Sequence, residues 1–174
     1  MSGHIVLIGL SGSGKSAVGR ALAGALARPF YDTDLLVAAR AGRPVPELLR
    51  SDAAHFRLLE EEIVADACGA PAGVIATGGG VVLSPRNRDT IVRGNQVVLL
   101  RATTVTLADR LRQGEERPLL EGDVAARLAA LLAERAALYA ACATTTIDTD
   151  GLTIEQSVAR VRAVVNIDGV GVWR

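Results

Sequence analysis

Five short apolar runs, each separated from the next by helical periodicity, leave this chain few folds to choose from. The runs are "HIVLIG", a short segment ending at Asp32, "GVIATGGG", "QVVLLRA" and "TTTIDT". Brief β-branched runs bounded by turn residues read as buried strands. Between them, Lys15 to Leu26 carries Val18, Leu22, Ala25 and Leu26 at helical spacing. Helical pattern returns from Thr33 to about Ala41, where "GRPVP" breaks it. Residues 55–68 place Phe56, Leu59, Ile63 and Val64 on one face, with Glu60 to Glu62 largely facing water. Ser84 is a good N-cap and Pro85 a good first residue for a helix to about Val92. Further helices are expected over Thr104–Leu111, from Asp123 to about Ala141, and over Thr153–Val165. Strands alternating with helices imply an α/β fold, a parallel sheet covered on both faces. Ligands on such sheets bind beyond the carboxyl ends of the strands. That rim collects Gly9–Ser16, Asp32–Asp34, Thr77–Gly80 and the segment after Arg101.

Composition narrows the partners. A chain of 174 residues suits one domain, residues 1–174, with a buried core. Lys plus Arg equals Asp plus Glu, 19 against 19, so no net charge draws it to nucleic acid or an anionic membrane. No apolar run reaches the ~20 residues of a membrane span. "MSGHIVLIGL" lacks the basic n-region and cleavage site of a signal peptide, so a cytoplasmic protein is expected. Cys68 and Cys142 match no metal-ligand spacing and read as reduced core thiols. A monomer is expected.

Residues 9–16, "GLSGSGKS", match G-x-x-x-x-G-K-S between a strand and a helix. In such a loop backbone N–H groups wrap a phosphate and the helix N-terminus adds positive potential. The cradle runs through Gly12, Ser13, Gly14, Lys15, Ser16 and Ala17. Lys15 would reach the β and γ phosphates and the Ser16 hydroxyl would ligate Mg²⁺. ATP and Mg²⁺ are thus the implied co-substrate and cofactor. Motors and switches of this class carry an acid at the end of a later strand, but "GVIATGGG" ends in Thr and glycines. Asp32 is the best-placed second metal group, directly or through water. "YDTD" adds Asp34 two positions on, which would project to the same side if the chain stayed extended. Close carboxylates repel, so a metal, a hydroxylated ligand or a basic partner should offset the pair. Asp34 can accept from two neighbouring hydroxyls. Gly78, Gly79 and Gly80 cost backbone entropy and suggest close approach of a ligand. Arg57 could serve a ligand or pair with Glu60 or Glu61 on its own helix. Tyr139 reads as core, and His4 and His55 suggest no role.

"GLSGSGKS", "YDTD", "FRLLE", "TGGG", "RPLL" and "ERAALY" occur in the order and rough spacing found in shikimate kinases, over about residues 5–150. The resemblance implies a three-layer sandwich with a five-stranded parallel sheet in order 2-3-1-4-5, the P-loop kinase fold. It implies a substrate-binding segment at 33–60 and a lid loop at 112–123, and assigns no role to the tail 166–174. The implied activity is transfer of the ATP γ-phosphate to the 3-hydroxyl of shikimate, on the route to chorismate and aromatic amino acids. Arg57 and Arg135 match the arginines that grip the shikimate carboxylate, with Glu60 orienting Arg57. Asp34 and Gly78–Gly80 match the rest of that site. Arg110 matches the residue that stacks on adenine, and Arg117 the lid arginine that folds over the phosphates. Lys15, Asp34 and Arg117 would be the catalytic set. The chain departs from the family in "RSDAAHFR", which lacks Gly-Glu before the F-R-x-x-E string, in Gly151 where a proline is common, and in Glu115 and Glu116 beside the lid arginine. The rival readings are another small-molecule P-loop kinase, such as gluconate kinase, and a non-catalytic nucleotide-binding subunit.

Overall fold

The computed structural model describes residues 3–113 and 123–165. The five strands are β1 (Ile5–Ile8), β2 (Phe30–Asp32), β3 (Val74–Ala76), β4 (Gln96–Arg101) and β5 (Thr145–Asp148). All pair in parallel in the order β2-β3-β1-β4-β5, as the family resemblance implied. The eight helices of the described residues are α1 (Lys15–Ala25), α2 (Thr33–Ala41), α3 (Val45–Ser51), α4 (Ala53–Gly69), α5 (Pro85–Val92), α6 (Thr104–Gln113), α7 (Val124–Cys142) and α8 (Ile154–Val164). A 3₁₀ turn covers Val81–Leu83.

The pleat of β1 divides the core. Ile5 and Leu7 pack with Val18, Leu22, Val158 and Val161 of α1 and α8. Val6 and Ile8 point the other way, against Val64, Ile91, Leu128 and Tyr139 of α4, α5 and α7. Alternate side chains of a strand leave opposite faces, so a wholly apolar strand needs helices on both. The expected cap is present, Ser84 accepting from Asn87 N–H; Asp123 likewise accepts from Ala126 N–H, and Thr153 forms a capping box with Gln156. Among the described residues no helix is long and apolar enough to cross a membrane.

Two expectations are corrected. "GRPVP" ends α2, but its prolines start α3 rather than a loop. Pro44 is the N-cap, and Pro46 sits in the first turn, where a missing N–H costs no intrahelical bond. The wholly buried Leu48 ties α3 to Val37, Phe56, Leu59 and Ile63 in a small separate core. Glu60 does not face water: it is 1% exposed.

Candidate active site

The loop after β1 owes its shape to glycine. Gly12 has φ +82°, and a Cβ there would lie 2.8 Å from the Leu107 carbonyl of α6. Gly14, at φ 92°, is the N-cap of α1 and supplies no side-chain acceptor. The first amides of α1 are therefore left for an anion. Lys15 folds back across the loop. Its Nζ donates to the Leu10 carbonyl at 2.8 Å and to Ser13 Oγ at 3.4 Å. Burial lowers its pKa to about 8, against the opposing pull of the Asp34 and Asp32 carboxylates.

This shift has a measurable consequence. Unfolded, the lysine keeps its proton up to about 10.5; folded, it loses it near 8. The unfolded chain binds more protons between these values, so this group adds stability as pH rises through that window. A bound polyphosphate acts the other way, favouring the ammonium. MgATP binding is therefore expected to take up protons near and above pH 8, and to do so less as pH falls well below it. Calorimetric titration in buffers of different ionisation enthalpy measures this, and Lys15→Met should abolish it.

The two acids of "YDTD" have different surroundings. Asp32 ends β2 and caps α2, its Oδ1 accepting from Asp34 N–H at 3.2 Å and Leu35 N–H at 3.3 Å. The helix N-terminus offsets its charge. Asp34 lies in the first turn of α2, packed so closely on Gly78 that a Cβ there would stand 2.5 Å from its Oδ1. Among the described residues no three His, Cys, Asp or Glu side chains converge as a metal cage. A Mg²⁺ held by phosphates, water and one or two protein oxygens fits such a site. Ser16, exposed in the first turn of α1, and Asp32 line one cavity and are the residues that would supply them.

Two adjoining cavities open at the carboxyl end of the sheet. The first, of about 640 Å³, is lined by Gly12–Ala17, Asp32, Asp34 and Arg110, and also by Thr149, Leu152 and Ile154. Arg110 is fixed there by Thr149, donating to its carbonyl at 2.5 Å and its hydroxyl at 3.0 Å. Thr149 in turn bonds the Arg101 carbonyl at the end of β4. The second cavity, of about 420 Å³, is lined by Asp34, Arg57, Glu60, Gly78–Gly80 and Arg135, with Val45, Leu49 and Phe56 as an apolar wall.

Arg57 and Glu60 meet at 2.6 Å, so the helical pair exists, yet both line the second cavity. The Arg57 guanidinium also lies 5.0 Å from the centre of the Phe56 ring. Burial raises the Glu60 pKa, opposed chiefly by Arg57. Glu60 Oε1 and Arg135 Nε are buried without a hydrogen-bond partner. The lining itself, with Asp34 as an acceptor and Arg57 and Arg135 as cationic donors, suits a bound molecule that carries both hydroxyl and anionic groups.

The glycine run is explained only in three dimensions. A Cβ on Gly80 would stand 2.6 Å from Arg57 Nη1, as one on Gly78 would crowd Asp34. Two of the three glycines thus make room for the protein's own polar side chains. Sequence reasoning missed the α3 wall, Thr149, and the Tyr139 hydroxyl, which donates to the Gly79 carbonyl. The paired prolines of "RPVPELL" and the turn at Gly151 were the available signals for the first two. Arg117, most of the expected lid segment and the tail 166–174 lie outside the described residues.

A model of the shikimate kinase family matches residues 11–166. The chain belongs to the shikimate kinase family. It is an ATP-dependent kinase. The shikimate kinase of Symbiobacterium thermophilum is 48% identical over 162 residues, which cover 91% of this chain and 93% of that protein. Among solved structures, shikimate kinase from Acinetobacter baumannii in complex with shikimate aligns with a TM-score of 0.87 and 29% identity, over 93% of this chain and 92% of that one. A gluconokinase from Sinorhizobium meliloti aligns with a TM-score of only 0.59 at 22% identity, over 93% and 90%, and shares the fold alone.

Proposed function

We propose that the two cavities hold the two substrates of one phosphoryl transfer, ATP in the first and shikimate in the second. The reaction is transfer of the ATP γ-phosphate to the 3-hydroxyl of shikimate. The observation that carries the division is the common wall: Ser11, Asp34, Leu35 and Gly79 line both cavities. A group passing from one to the other passes Asp34.

Phosphoryl transfer needs positioning and charge stabilisation more than covalent chemistry. The loop amides of Gly12 and of Gly14 to Ala17 hold the phosphates, Ser13 N–H being held by the Leu10 carbonyl, and Lys15 meets charge on the transferring group. Arg110 faces the base. Arg57 and Arg135 grip the carboxylate as planar donors, and Asp34 orients the acceptor hydroxyl. Arg117 supplies a further cation to the phosphates. Mg²⁺, when bound beside Ser16 and Asp32, supplies charge neutralisation. We further propose that the enzyme works as a monomer in the cytoplasm.

The test against the rival kinase is a coupled assay with ATP, Mg²⁺ and either acceptor. Shikimate should turn over, and gluconate should show kcat/KM lower by on the order of 100-fold or more, because an extended chain cannot fill a site walled by Phe56 and Leu49 while meeting both arginines. Comparable rates with both acceptors would refute the assignment, and turnover of neither would favour a non-catalytic subunit.

A further inference from the structure

Three consecutive glycines can point their peptide groups almost anywhere, so whatever fixes them fixes the site. In this turn the carbonyls are all taken. Gly78 O accepts from Val81 N–H at 3.2 Å and Gly80 O from Leu83 N–H at 3.0 Å. Gly79 O receives two donors from α7, the Tyr139 hydroxyl and Arg135 Nη1, the latter at 3.2 Å. The amides are treated differently. Gly78 N–H bonds Thr33 Oγ1 at 3.1 Å, while those of Gly79 and Gly80 donate to no described residue.

A trans peptide is planar, with C=O and the next N–H pointing in opposite directions. Holding Gly79 O against α7 therefore turns Gly80 N–H away from α7, and Gly80 lines the second cavity together with Arg57 and Arg135. We propose that Tyr139 is a positioning residue for the acceptor: its hydroxyl pins the Gly79 carbonyl so that the Gly80 amide joins Arg57 and Arg135 in binding the carboxylate. This rests on the placement of shikimate in the second cavity.

The ring of Tyr139 does not need its hydroxyl. It is 1% exposed and packs in the main core, where phenylalanine would fill the same space. A phenol buried there is tolerated because it has an acceptor. Burial raises its pKa to about 12, so it stays a donor across the working pH range.

The test is Tyr139→Phe, compared with wild type on shikimate and on an analogue whose carboxylate is replaced by hydroxymethyl. The variant should raise KM for shikimate by roughly 5- to 30-fold, less than the ~10- to 100-fold of losing a hydrogen bond to a charged group outright, because Arg135 Nη1 still holds the Gly79 carbonyl. Its kcat should change much less, and its MgATP affinity by calorimetry should be unchanged. On the hydroxymethyl analogue the variant and wild type should perform alike. A thermal melt within a few degrees of wild type is expected. Equal KM increases on both acceptors, or a lowered melting temperature with unchanged kinetics, would make the hydroxyl merely structural and overturn the proposal. If wild type does not prefer shikimate over the analogue, the carboxylate grip itself fails. If it does and Tyr139→Phe behaves as wild type, only the role of Tyr139 fails.

Discussion

Lys15→Ala is expected to lower kcat by on the order of 1,000-fold or more while leaving the fold intact. Charge develops on the transferring phosphoryl group, and Lys15 is the cation that the P-loop brings to that place. In a partly closed site one such donor is worth far more than in water. Stability should hardly fall. The Lys15 side chain is 8% exposed, but it faces a cavity and its Nζ rests on two neutral oxygens. Burying it charged already costs free energy, as its lowered pKa indicates. A coupled assay and a thermal melt decide. Turnover within a few-fold of wild type would remove Lys15 from the mechanism.

Asp32→Asn and Asp34→Asn should fail differently. At position 32 the charge is lost but the cap survives, because Asn is as good an N-cap as Asp. The variant should fold normally, need more Mg²⁺, and recover partly when Mg²⁺ is raised. Asp32→Ala should lose the cap as well, and about 1 kcal/mol of stability with it. At position 34 the amide keeps one acceptor and turns an NH₂ toward hydroxyl donors. A buried hydrogen bond to a charged group is worth on the order of 1.5–3 kcal/mol. Shikimate binding should therefore weaken by roughly 10- to 100-fold, with MgATP binding nearly unchanged and no rescue by Mg²⁺. Calorimetric titration of each variant with each substrate separates the roles. Loss of MgATP binding by both, with shikimate binding intact, would show that the pair acts as one metal site.

Most element boundaries were legible because they follow from neighbouring residues. Ser84 and Pro85 start α5, Thr153 and Gln156 start α8, and Gly42 at φ 68° ends α2. α3 was missed because proline reads as a breaker and only its place in the first turn reverses that meaning. Glu60 was misread for a related reason. Three consecutive glutamates look solvated on any helix, and only its neighbours in the fold, the Arg57 guanidinium at 2.6 Å first and Arg135 after it, make a buried one tolerable.

The sequence alone determined the phosphate cradle, the alternation that builds the parallel sheet, and the two acids at the end of β2. Each depends on residues a few positions apart, whose spacing sets dihedrals, face and cap. The tertiary structure decided what the second cavity is made of. It brought Gly79 to Arg135 and Tyr139, 56 and 60 positions away. It packed Arg57 on Gly80 and Asp34 on Gly78, so that side chains fill the space the glycines leave. It also gave one wall to both cavities. Local periodicity carries no record of such pairings, because they arise only when the crossovers of a parallel sheet return distant segments to the same rim.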